Sequence, residues 1–243
     1  MCTRHTAPPH KPHSLTKMPE YPSIPYTRHP VTPEPDIELA LARERRSIRQ
    51  FSDSPVPRAL VEAALLIACT APSGANRQPW RFVVLTDPST KARLREAAEA
   101  EEREFYTHRA TPEWLADLAP LGTDWQKPFL TTAPYVIVVF RQSYGIGEGS
   151  KTLKNYYSPE SVGIAVGFLI AALNRFGLST LTHTPSPMAF LNEICGRPSN
   201  EKAFVVLPVG YPAEHCTVPD ITRLPESETI FWPDRSLTTR NGD

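Results

Sequence analysis

The sequence predicts an α+β fold: a central sheet flanked by helices, with an extension at each end of the chain. Three observations carry that expectation. Four runs, RFVVL at 81–85, APYVIVVF at 133–140, STLTHT at 179–184 and AFVVLPVGYP at 203–212, are β-branched or continuously apolar and read as strands. The stretches between them place apolar residues at helical spacing. Nine of the 27 prolines fall within residues 1–35, which have almost no apolar periodicity and read as a flexible tail.

The elements follow in order. From Asp36, DIELALARERRS reads as a short amphipathic helix. SPVP at 54–57 opens a second helix to about Cys69, since proline in the first turn lacks only an N–H that has no helical partner there. After the RFVVL strand, Asp87 and Pro88 start a long charged helix to about His108, and Thr111 and Pro112 another around Trp114. The 133–140 strand is apolar almost throughout, which predicts a central place buried on both faces. A loop with Gly145, Gly147 and Gly149 follows. SPE at 158–160 caps a helix that ends at Gly177; it is apolar nearly all round and is expected in the core. Residues 187–195 form a short helix closed by Gly196, and the last thirty residues read as an arm. The expected organisation is a tail over 1–35, one domain over 36–225 and an extension over 226–243.

Lys plus Arg and Asp plus Glu number 26 each, so no global charge marks a nucleic-acid partner. The most apolar run, VGIAVGFLIAAL at 162–173, is shorter than the ~20 residues of a membrane span. The start of the chain, MCTRHTAPPHKPHSL, lacks the apolar centre of a signal peptide. A soluble, cytoplasmic protein is expected, and the scattered Cys2, Cys69, Cys195 and Cys216 read as free thiols of a reducing compartment. The set Cys2, His5, His10 and His13 lies in the proline-rich segment and reads as tail, so no metal is expected.

Four constellations could carry chemistry. RRSIRQF places Arg45, Arg46, Ser47 and Arg49 together, either as a multidentate anion site or as a solvated basic helix end. In APSGANRQPW, Pro72, Ser73, Gly74 and Ala75 have little bulk, so a flat ligand could approach the main chain. Ser73 could donate a hydrogen bond, Asn76 and Gln78 add amides, and Trp80 reads as core; a plain helix-to-strand connection has the same composition. EEREFY sets Glu102 and Tyr106 on one helical face, and Lys127 follows in DWQKPFL. A carboxylate, a phenol and an ammonium can hold a zwitterion, although the spacing alone equally describes a solvated helix. Thr182 and Thr184 point to one side of a strand and His183 to the other; the histidine is given no role.

RRSxR, PSGAxxxPW and LPVGYP together resemble the FMN-dependent nitroreductase superfamily, and most closely its iodotyrosine deiodinase branch, over roughly residues 43–225. TAPSGA, NYY, THTP, GRP and TVPD match as well. The resemblance implies a nitroreductase-like sheet whose chain extensions wrap the partner of a homodimer. It implies FMN held by Arg45, Arg46, Ser47, Arg49, Thr182 and Arg223, with Pro72, Ser73 and Gly74 supplied by the other subunit. It implies Thr184 at flavin N5, favouring one-electron steps, and the Ala75 N–H on the substrate phenolate. Glu102 would bind the substrate α-ammonium, and Lys127 and Tyr106 its α-carboxylate, as a lid. The implied reaction is reductive dehalogenation of halotyrosines to halide and tyrosine, with a reduced nicotinamide or a reductase as electron donor. Asn76 and Gln78 stand where animal deiodinases resemble GAHxEPW, so this loop looks closer to the wider superfamily. The other readings are a general NAD(P)H-dependent nitroreductase or quinone reductase, which has no need of the Glu102, Tyr106 and Lys127 set, and a non-catalytic flavoprotein that binds halotyrosine.

Overall fold

Four strands make the sheet: β1 (Trp80–Leu85), β2 (Tyr135–Gln142), β5 (Ser179–Thr180) and β6 (Glu201–Gly210). They lie in the order β1-β2-β6-β5 with every neighbouring pair antiparallel. The computed structural model describes residues 25–26 and 32–232; the expected tail, the Cys2, His5, His10 and His13 set, and the end of the C-terminal extension lie otherwise outside the described residues. Internal contacts divide the chain into residues 1–35 and 36–243, and the second unit holds the architecture below.

β2 is bonded on both edges, and Val136 to Phe140 have no exposed surface, as their unbroken apolar run predicts. Successive side chains of a strand point to opposite faces, so the run feeds two cores. Ile137 and Val139 pack with Val205, Leu207 and Val209 of β6 against α2 (Arg58–Cys69) and α6 (Ser158–Arg175). Val136, Val138 and Phe140 pack with Val206 against α3 (Pro88–Glu104), α5 (Phe129–Thr132) and α7 (Phe190–Ile194). Each such side chain contributes roughly 1.5–3 kcal/mol on burial. The second core is the floor on which the candidate site is built.

Local signals set the element ends. Asp87 accepts from the Thr90 N–H at 2.7 Å with Pro88 at the first helical position, and Thr111 accepts from the Trp114 N–H to start α4 (Pro112–Leu118); both are N-caps of the usual kind. Several boundaries differ from expectation. α1 (Pro35–Glu44) ends before Arg45, so RRSIR leaves the helix: Ser47 bridges Thr180 in parallel, the Ile48 N–H donates to the Thr180 carbonyl, and Phe51 bridges Pro212. Pro57 precedes α2 as an extended residue, and the helix begins at Arg58. α3 does not run on to His108; it passes at Phe105 into a single π-helical turn, Phe105–Arg109, closed by the Ala110 N–H on the Phe105 carbonyl at 2.8 Å.

The glycine loop is a hairpin of β3 (Tyr144–Ile146) and β4 (Thr152–Lys154), with Gly149 at φ 64° at its tip. The expected 179–184 strand pairs only over Ser179–Thr180, then touches β6 once, at His183 and Val206. α6 is only partly core: Ile164 and Phe168, four residues apart on one face, are exposed in the single chain. α7 and α8 (Glu226–Thr229) complete the described chain, and among the described residues no helix is long and apolar enough to cross a membrane.

Candidate active site

The charged helix α3 grips the segment 123–127 with three of its own side chains. Glu99 accepts from the Lys127 N–H at 2.7 Å, Glu102 pairs through Oε2 with Lys127 Nζ at 3.1 Å, and the Arg103 guanidinium lies 4.2 Å above the Trp125 ring. Positions separated by three and four residues share a helical face, which is why one helix can hold one loop this way. The Lys127 ammonium also donates to the Asp124 carbonyl and lies 5.5 Å from the centre of the Tyr106 ring. It is almost fully buried, with 3% of its surface exposed. Burial pushes the Tyr106 phenol above its ordinary value, so it remains a protonated donor.

Glu102, Tyr106 and Lys127 therefore converge, as the sequence reading requires. They line a cavity of about 580 Å³ together with Arg49, Trp114, Thr182, His183, Thr184 and Met188. Its walls combine apolar and aromatic surface with a few convergent polar groups, the usual character of a small-molecule site. The π-helical turn carries Tyr106 and Phe105 into this wall; such turns recur at functional sites.

Beside it lie two further concave regions that share its residues. Arg45, Ser47 and Thr182 line one of about 540 Å³ against α1 and α6, and Ser47 and Arg49 line a smaller one near Pro219. Ile48 is anchored in the core, which leaves its neighbours Ser47 and Arg49 to face the cavities. Among the described residues neither Arg45 nor Arg49 has a carboxylate partner; uncompensated guanidinium groups beside a hydroxyl fit a phosphate. Arg46 instead donates to the Pro219 carbonyl, and Arg223 donates to the carbonyls of Arg43 (3.3 Å) and Arg45 (2.9 Å). These two arginines brace the backbone beside these cavities.

The APSGANRQPW loop stands apart and lines none of these regions of its own chain. Its backbone is unusual: Ala75, Asn76 and Gln78 have φ of 50°, 54° and 48°. Asn tolerates the left-handed region, whereas Ala and Gln adopt it at a cost. The Ser73 hydroxyl accepts from the Gln78 N–H at 2.9 Å, and the Gly74 N–H donates to Ser161 Oγ at 3.3 Å. A Cβ on Gly74 would sit 2.6 Å from the Tyr156 carbonyl oxygen, so glycine is required by close approach. The N–H groups of Asn76 and Arg77 also have acceptors; that of Ala75 has none among the described residues, and Ala75 is exposed.

Thr182 and Thr184 are exposed and His183 between them is buried, in keeping with strand alternation. His183 is the residue whose importance the sequence reading missed. Its Nδ1 lies 3.9 Å from Glu102 Oε1, and its ring meets Phe129 edge to face at 5.6 Å. The available signal was a lone histidine on the core-facing side of THT.

The chain is similar to known proteins in sequence and in fold. The sequence profile of the Nitroreductase family matches residues 42–211. An iodotyrosine deiodinase from Haliscomenobacter hydrossis is 56% identical over 179 residues, spanning 74% of this chain and 81% of that protein. One from Hydra vulgaris is 44% identical over 188 residues, spanning 77% and 69%. A crystal structure of iodotyrosine deiodinase bound to FMN and 3-iodo-L-tyrosine matches with a TM-score of 0.66 at 33% identity, covering 81% of this chain and 98% of that one. A nitroreductase with bound FMN from Bacteroides fragilis, 19% identical with a TM-score of 0.58 over 80% and 98% of the two chains, shares the fold.

Proposed function

The chain belongs to the iodotyrosine deiodinase branch of the nitroreductase family, and from that premise we propose how its residues work in the reductive dehalogenation of halotyrosines. It is an FMN-dependent oxidoreductase that releases halide and tyrosine. The observation that carries the residue-level reading is the convergence of Glu102, Tyr106 and the buried Lys127 on one cavity. A general nitroreductase or quinone reductase has no use for a carboxylate, a phenol and an ammonium at this place.

The unpaired Arg45 and Arg49, with the Ser47 hydroxyl, fit the FMN phosphate, and Arg46, Thr182 and Arg223 complete the holding set. When bound, FMN supplies the electrons that expel the halide. The rest is the work of the chain. Glu102 and Lys127 neutralise each other across 3.1 Å; a substrate zwitterion enters that pair, with its ammonium on Glu102 and its carboxylate on Lys127 and the Tyr106 hydroxyl. Each buried charge then keeps an opposite neighbour, which avoids an uncompensated buried ion. Lid closure excludes water from the reacting ring.

The strained turn presents the Ala75 N–H to the phenolate oxygen, a preorganised donor of the oxyanion-hole type. The Thr184 hydroxyl, exposed to the cavity, would hydrogen-bond the flavin at N5. Since the loop lines none of the three cavities described, Pro72, Ser73, Gly74 and Ala75 reach the site from the second subunit of a homodimer. The exposed Ile164 and Phe168 of α6, next to Gly167 and Ala171 of the Arg45 cavity wall, support that face as the interface. Residues 36–225 form the FMN domain, with the flanking segments as extensions. A reduced nicotinamide or a reductase delivers electrons in a reducing cytoplasm, in keeping with free Cys69, Cys195 and Cys216.

The test is direct: purify the protein with its FMN, reduce it with dithionite and add iodotyrosine. Iodide release is expected. Tight binding without release would make it a halotyrosine-binding flavoprotein, and turnover of nitroarenes without preference for halotyrosine would make it a general reductase.

A further inference from the structure

His183 lies on the floor of the lid cavity with 6% of its surface exposed, and its Nε2 has no hydrogen-bond partner among the described residues. Buried polar atoms without partners are rare and call for an explanation. The ring cannot drift to find one. Its backbone is tied to the central strand β6 by two bonds, the His183 N–H to the Val206 carbonyl at 2.9 Å and the Val206 N–H to the His183 carbonyl at 2.8 Å, and Phe129 meets the ring itself.

The other nitrogen faces the lid. Nδ1 is 3.9 Å from Glu102 Oε1, while Oε2 of the same carboxylate is 3.1 Å from Lys127. Glu102 is thus bracketed by a lysine on one oxygen and an imidazole on the other. The charged and titratable groups that line the cavity with the ring are Arg49, Glu102, Tyr106, Arg109 and Lys127. Burial, then the charges of Lys127 and Arg49, push the imidazole down to about 3, so the ring is neutral and carries one N–H. Glu102 is the acceptor in reach, which places that hydrogen on Nδ1.

We propose that His183 is a positioning residue for amino-acid recognition: its Nδ1–H takes up Glu102 when the substrate ammonium draws the carboxylate off Lys127. The inference rests on the halotyrosine reading above. At 3.9 Å the bond is open; a movement of about 1 Å closes it to hydrogen-bond distance. His183 then favours zwitterionic phenols over plain ones, because only a zwitterion moves Glu102.

The experiment titrates the FMN fluorescence of the holoprotein with iodotyrosine and with iodophenol, in the wild type, His183→Phe and His183→Asn. Phe keeps the ring volume and removes both nitrogens; Asn restores an N–H near the position of Nδ1. The ratio of iodotyrosine to iodophenol affinity should fall about tenfold in the Phe variant, the value of one charge-assisted hydrogen bond, and recover in the Asn variant. An unchanged ratio in the Phe variant, or a loss shared equally by both ligands, overturns the role of His183 and leaves the halotyrosine reading intact. A wild type that fails to prefer iodotyrosine over iodophenol overturns that reading and the inference with it.

Discussion

Glu102 and Lys127 neutralise each other across 3.1 Å, and in the proposed binding mode a substrate would separate them, which makes both residues sensitive to substitution. Glu102→Gln leaves the Lys127 ammonium buried with the Asp124 carbonyl for company. Lys127→Ala strips Glu102 of its cation. Each variant should weaken iodotyrosine binding by tenfold or more, since hydrogen bonds to charged groups are worth about 1.5–3 kcal/mol, while FMN content stays unchanged. Unaltered affinity in both would sink the zwitterion site. His183 adds a pH dependence. Its imidazole titrates near 6.5 when unfolded and is held down to about 3 in the fold. Between those values the unfolded chain binds the extra proton, so stability is intact above pH 6.5 and falls as the pH drops. The loss should reach about 3 kcal/mol by pH 4.5, and the stability of His183→Phe, measured by urea melts across this range, should fall less steeply with pH than that of the wild type. The residue types of the lid were legible from EEREFY and DWQKPFL. The pairing of Glu102 with Lys127, and the carboxylate's contact with His183, were not, because they depend on how α3, the 123–127 segment and β6 meet in space.

Elements place these groups, and the loop between α2 and β1 does so by strain. Gly74 lies against the Tyr156 carbonyl, and the left-handed residues that follow turn the Ala75 N–H outward. Gly74→Ala forces backbone apart and should destabilise the protein by about 1–3 kcal/mol, with halide release falling further than urea stability alone explains; a variant with wild-type stability and turnover would contradict the close packing. The composition of PSGA announced a tight loop. It could not announce positive φ at Ala75 and Gln78, which neither residue favours locally and which the packing of Gly74 on Tyr156 and Ser161 imposes. The same limit shows in STLTHT, whose alternation was right and whose length as a strand was not: after Thr180 the segment touches β6 only at His183. The β3–β4 hairpin went unread because strands of three residues carry too little periodicity to register.

The whole molecule rests on β2, and there the sequence was a sufficient guide. An apolar run with no polar alternation demanded cover on both faces, and α2 with α6 on one side and α3 with α5 and α7 on the other supply it. α6 shows where such reasoning stops: its apolar circumference suggested burial, yet the single chain leaves Ile164 and Phe168 open, and periodicity cannot distinguish a face open to a partner from one that enters the core. The proposed supply of the loop to the other subunit's site has a genetic consequence. A protomer crippled in its lid (Lys127→Ala) and one crippled in its loop (Gly74→Ala) would complement each other when co-expressed. In each mixed dimer one site would inherit both lesions and the other neither, so random pairing of two nearly inactive parents should restore about a quarter of wild-type halide release. Two copies of the chain would then behave as a pair of exchanged halves, each repairing its neighbour's defect.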